Sequence, residues 1–169
     1  MACALTQNYV TKDCATTAGV KSWYVTPFSN VTATTLTSNV VTAITKTVAF
    51  KTIAQEIESG SWSYTGATTS ANGTKAYDWE AVIKMHQLNT LDQQELELIM
   101  SNKILLIAEM QNGDFWMLGR KFGSVAMDDK FESGVALNDF QGTTLTVKGR
   151  SDVKMVKVDS TIMAGLLTV

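Results

Sequence analysis

His86 is the only histidine in the chain, so a catalytic triad or multi-histidine metal site is excluded unless it is built round this residue. Asp78, Glu80 and Lys84 precede it at period-two spacing. Glu80 could orient His86 as a base for a serine, but no Gly-x-Ser-x-Gly elbow supplies the nucleophile. A surface histidine on a wet strand face is the simpler expectation. Carboxylates are also paired at Glu56/Glu58 and Asp128/Asp129. In an extended chain Glu56/Glu58 and Asp78/Glu80 each share a face, and a solvated face is expected because buried charges need partners. Gly119-Arg120-Lys121-Phe122-Gly123 has the wrong spacing for a phosphate loop, and Asp128-Asp129-Lys130 lacks the alternating ligands of a calcium loop. Cys3 and Cys14 have no metal-ligand spacing and are expected to be free thiols of a reducing cytoplasm. No catalytic, metal-binding or cofactor-binding residue is expected.

Composition narrows the function further. The 169 residues carry 14 basic and 16 acidic side chains, a net charge of −2, with no basic run. Tight nucleic-acid binding needs a basic face that releases counterions from phosphates, so it is not expected here. Trp23, Trp62, Trp79 and Trp116 are expected in a core or subunit contact, because base stacking works beside a basic groove. No apolar run approaches the roughly 20 residues of a membrane span, and the first residues lack the pattern of a secretory signal.

The elements that would position these residues are mostly strands. Val20 to Val25 is strand-like and Pro27 ends it, residues 31–48 are dense in β-branched Thr and Val, and residues 50–57 lean towards strand. Residues 59–66 and Asn72-Gly73-Thr74 mark strand ends joined by a loop or hairpin. Between Tyr77 and Leu88 the chain alternates, with Tyr77, Trp79, Ala81, Ile83 and Met85 on one face and Asp78, Glu80, Val82, Lys84 and His86 on the other. A helix is predicted over about 91–102, capped by Thr90 and Gln93, with Leu91, Leu96, Leu98, Ile99 and Met100 on its apolar side. Residues 104–108 read as a buried strand, Asn112-Gly113 as a type I′ hairpin turn, and residues 115–118 as the returning strand. Residues 119–142 suggest an extended loop, and two short strands follow over 142–149 and 153–158. The prediction is one mainly β domain over 1–169, a β-sandwich or barrel with one flanking helix, an N-terminal arm over 1–19 and an apolar C-terminal arm over 159–169.

A resemblance adds to this reading. Ala76-Tyr77-Asp78-Trp79-Glu80, the helix Gln94-Glu95-Leu96-Glu97-Leu98-Ile99-Met100-Ser101-Asn102, the run from Lys103 to Glu109, the hairpin from Asn112 to Gly119 and the segment from Ser133 to Gly149 together resemble the major tail tube proteins of tailed bacteriophages, particularly phages of Bacteroidetes hosts. The resemblance spans roughly 100 residues and rests on pattern rather than on a catalytic signature. It implies a virion structural protein made in the host bacterial cytoplasm, without cofactor or enzymatic activity. Such subunits form hexameric rings whose inner strands join into a barrel, and the rings stack into a hollow tube through which double-stranded DNA is delivered. Loops and terminal arms would reach the next ring, burying the apolar C-terminus. Implied partners are further copies of the chain, a tape measure, a tail terminator and baseplate or hub proteins. The wet row Asp78, Glu80 and Lys84 is the candidate lumen lining, in which acidic groups repel passing phosphates over about 8–10 Å. Two alternatives remain: another virion part (tail terminator, head–tail connector or capsid decoration protein), or a carbohydrate-binding β-sandwich using exposed Trp62 and Tyr64.

Overall fold

The structure, a computed structural model, describes residues 17–69, 74–86, 90–136 and 139–168. Cys3, Cys14, most of the N-terminal arm, the Asn72-Gly73 turn and Leu88 lie outside the described residues, as do the side chains of Thr90 and Leu91. The protein is mainly β, with eleven strands in two sheets and two helices among the described residues.

Sheet A contains β1 (Val20–Pro27), β2 (Val31–Thr37), β3 (Val40–Lys46), β4 (Lys51–Ala54), β7 (Ile104–Met110), β8 (Phe115–Leu118) and β11 (Val156–Val158), in the order β2-β3-β11-β8-β7-β1-β4. Sheet B contains β5 (Ser61–Thr69), β6 (Thr74–His86), β9 (Val125–Glu132) and β10 (Gly142–Ser151), in the order β5-β6-β10-β9, antiparallel throughout. The expected helix is α1 (Thr90–Ser101), and a second helix, α2 (Ser160–Leu166), follows β11.

Two apolar clusters hold these layers together. The first lies between the sheets and contains Trp23, Val25, Trp79, Ala81, Ile83, Leu106, Leu118, Leu145 and Val147, with Leu96 of α1 closing it. The second lies on the opposite face of sheet A, where Tyr24, Phe50, Leu105, Ile107 and Met117 meet Met163 and Leu166 of α2. Strand β7 therefore buries both faces, which is why its sequence is a continuous apolar run rather than an alternating one.

Sheet A cannot be flat. Four strands separate β1 from β2, about 24 Å at ordinary strand spacing, whereas residues 28–30 can bridge at most about 14 Å. The sheet therefore curls round the second cluster, and the Phe28 amide at the β1–β2 connection donates to the Lys103 carbonyl just before β7 at 2.8 Å.

Several expectations need correcting. The segment 119–142 is not one extended loop, because β9 occupies its centre. Met163 and Leu166 need no neighbouring copy to cover them, since α2 docks on its own chain and Phe50 N–H donates to Leu166 O at 2.9 Å, while Leu167 stays exposed. Leu98 points outward from α1, 57 % exposed, because sheet contact takes only the side bearing Leu96, Ile99 and Met100. The turn after β7 is not type I′. Gly113 N–H donates to Met110 O, Met110 N–H donates to Asp114 O, and only Gly113 has positive φ (83°), so it is a type I turn with a glycine bulge.

Candidate functional site

The alternation predicted for β6 places Asp78, Glu80 and Lys84 on the outward face of sheet B, while Trp79, Ala81 and Ile83 enter the core. The antiparallel register then supplies partners that the sequence did not announce. Arg150 of β10 lies opposite Asp78 and binds it in a fork, Nε to Oδ1 at 2.5 Å and Nη2 to Oδ2 at 3.0 Å. Lys148 lies opposite Glu80, with Nζ 2.8 Å from Oε2. The Arg150 guanidinium holds the Asp78 carboxyl below its usual range and is itself held more firmly protonated. These pairs are in solvent and fix side-chain geometry more than they stabilise the fold.

Strand β9 completes the outward face with Asp128, Lys130 and Glu132, the last two paired at 2.9 Å. Counted over β6, β10 and β9, the face carries Asp78, Glu80, Asp128 and Glu132 against Lys84, Lys130, Lys148 and Arg150. The row expected to be acidic is thus charge-balanced among the described residues, with Ser61, Ser63, Thr65, Thr144 and Thr146 supplying hydroxyls between the pairs. Sequence alone missed Arg150 because it is 72 residues from Asp78, and only the register joins them.

The other chemical candidates come apart. Glu80 does not orient His86, since it faces Lys148. His86 Nε2 instead lies 3.4 Å from Glu56 Oε2, and its ring meets Phe140 edge-on at 4.8 Å. The groove beside it, about 570 Å³ between α1, β1 and β4, offers among the described residues only the hydroxyls of Thr26 and Thr52, with neither serine nor cysteine. Glu56 and Glu58 share no strand, because β4 ends at Ala54 and Glu58 turns with φ of 65°. Asp128 and Asp129 pair with Thr146 and Leu145 respectively, so they project to opposite faces. Residues 119–123 form a closed turn, with Gly123 N–H donating to Gly119 O at 2.8 Å. Trp62 is no open platform: it packs between Tyr64 and Trp116, with its ring N–H directed at Met110 Sδ, 3.2 Å away.

What remains is a surface rather than a pocket. Among the described residues sheet B has two open margins, β5 and β9. Strand β5 runs nine residues without a charge or proline, the groups that ordinarily guard an edge. Strand β9 presents Met127 and Phe131, 63 % and 62 % exposed. A register shift between its pairings with Thr146 and Val147 marks a bulge at Met127. No group of three metal-ligating side chains occurs among the described residues, and no described helix is long and apolar enough to cross a membrane. No family model, curated protein or solved structure matches the chain.

Proposed function

We propose that this chain is a self-assembling structural subunit, which closes into rings by pairing β9 of one copy with β5 of the next and stacks into a hollow tube of the bacteriophage-tail type. The observation that carries the reading is the four-stranded sheet B, with an apolar inner face, a polar outer face and two open margins. Its strands alternate in direction and are even in number, so copies joined margin to margin by rotation meet antiparallel at every junction. Closure removes both edges, the standard solution to the hazard of an open sheet. It also turns the outward face, with Asp78, Glu80 and Lys84, towards the channel. Matched ion pairs and hydroxyls give passing DNA neither an attractive phosphate trap nor a strong repulsive wall. The resemblance noted in the sequence agrees with this arrangement and supplies the expectation of six subunits, a virion-tail location and a non-enzymatic role.

Negative-stain electron microscopy of the full chain over a range of concentrations tests the reading. Hollow tubes of constant width with a regular axial repeat are the expected result. Single closed rings point to a terminator or connector, and a strictly monomeric species overturns the proposal. Met127→Lys with Phe131→Lys places charge on an exposed margin and leaves the core untouched. The variant should keep the native circular dichroism and lose ring formation.

A further inference from the structure

Charge is distributed unevenly along β6. At its Lys75 end, a groove of about 510 Å³ is lined by Lys75, Arg120, Lys154 and Lys157, with Tyr77 and Trp116 among its apolar walls and no acidic residue among the described ones. The neighbouring carboxylates Asp152 and Asp114 pair with Lys121 and Lys157. Arg120 Nε is buried there without a hydrogen-bond partner. At the His86 end, about 36 Å further along the strand, lies the groove between α1 and β4. Its apolar walls include Pro27, Ile53 and Met85, and its rim carries Asp92 and Glu95 against, among the described residues, the single cation Lys51. Glu56 stands beside His86, and Glu97 is exposed on the same helix.

We infer that these two ends are the halves of one contact: the acidic rim of the α1 groove on one copy seats against the basic groove of a second copy. The inference rests on the ring-forming reading above and names the surfaces that join one ring to the next. The charges are complementary, and each groove offers apolar wall for burial once the rims are neutralised. Because the halves sit at opposite ends of β6, the contact is heterologous and repeats without limit, giving a filament rather than a closed pair. Neither end uses the β5 or β9 margin, so ring closure and stacking can proceed together.

Exchange of charge tests this in the full-length chain. Lys75→Glu, Lys154→Glu and Lys157→Glu leave three anions against Arg120 in the basic groove, and Glu56→Lys, Glu95→Lys and Glu97→Lys leave three cations against Asp92 on the α1 rim; all six side chains are exposed. Each triple variant places like charges across the contact and should reduce the axial association constant by about tenfold or more, leaving single rings in electron micrographs. The sixfold variant restores opposite charges and should stack again, as should an equimolar mixture of the two triple variants. Triple variants that stack like the parent overturn the inference, as does a sixfold variant that remains as single rings. Capture of a labelled DNA duplex by the groove, with stacking unchanged, assigns it to nucleic acid and also overturns it. A parent chain that forms no rings at all overturns the assembly reading itself, a result distinct from rings whose stacking ignores these charges.

Discussion

Glu109 sits on β7 among apolar neighbours, buried on the face of sheet A that α2 covers. It is tolerated because it is fully engaged: Lys21 Nζ reaches Oε1 at 2.6 Å and the Tyr24 hydroxyl donates to Oε2 at 2.6 Å. Burial, reinforced by the hydrogen bond to Glu109 and its negative charge, pushes the Tyr24 hydroxyl from 10.0 up to about 12. The folded state holds this proton more tightly than the unfolded chain, so its contribution is complete below pH 10 and is lost as pH rises towards about 12. Tyr24→Phe should cost about 1–2 kcal/mol near neutral pH by leaving a carboxylate oxygen short of a donor. It should also flatten the fall in melting temperature across that alkaline window, and identical slopes for parent and variant would refute the assignment. Two glycines give a second contrast. A Cβ at Gly149 would lie 2.4 Å from the buried Trp79 ring, whereas Gly165 in α2 has nothing within 4 Å. Gly149→Ala should therefore destabilise by about 1–3 kcal/mol and Gly165→Ala stabilise by up to about 1 kcal/mol, both readable from urea unfolding midpoints.

Among the elements, those with a strong period were visible in the sequence. The alternation of β6, the continuous apolar run of β7 and the helical stripe of α1 each reflect the environment their faces meet. Strand β9 was hidden because its bulge at Met127 breaks the two-residue period and most of its side chains lie in solvent at a sheet margin. The β2–β3 hairpin read as one Thr- and Val-rich stretch, since Ser38 and Asn39 adopt positive φ (52° and 63°) without a glycine to mark the turn. Helix α2 is only seven residues long, too short to declare a period, yet Asp159 caps it by accepting from Thr161 N–H at 2.9 Å. That hydrogen bond holds the Asp159 carboxyl below its usual range. The helix exists because Met163 and Leu166 close the second cluster, so Leu166→Ala should cost about 2–5 kcal/mol. Calorimetry showing no loss would mean that α2 is a dispensable appendage and that the curled sheet encloses its core without it.

The whole molecule presents a sheet whose outer face is balanced in charge, and this replaces the expected picture of an acidic wall. The candidate row was legible from β6 alone, but its electrostatic character was not, because Lys148 and Arg150 arrive only through the register of β10. If this face lines a channel, what matters for DNA is the sum over the row. Asp78→Lys with Glu80→Lys changes each subunit from four anions and four cations to two anions and six cations, and it removes the partners of Arg150 and Lys148. Repeated round a ring, such a face should bind phosphate strongly and release counterions as it does so. Tubes of the double variant should therefore retain short DNA duplexes that pass through parental tubes, with retention weakening steeply as salt rises. Binding to the outside is separated by blocking the tube ends before the duplex is added. Assembled variant tubes that retain no more DNA than the parent would show that Asp78 and Glu80 do not face the channel, and the margins of sheet B would then have to join in the opposite sense.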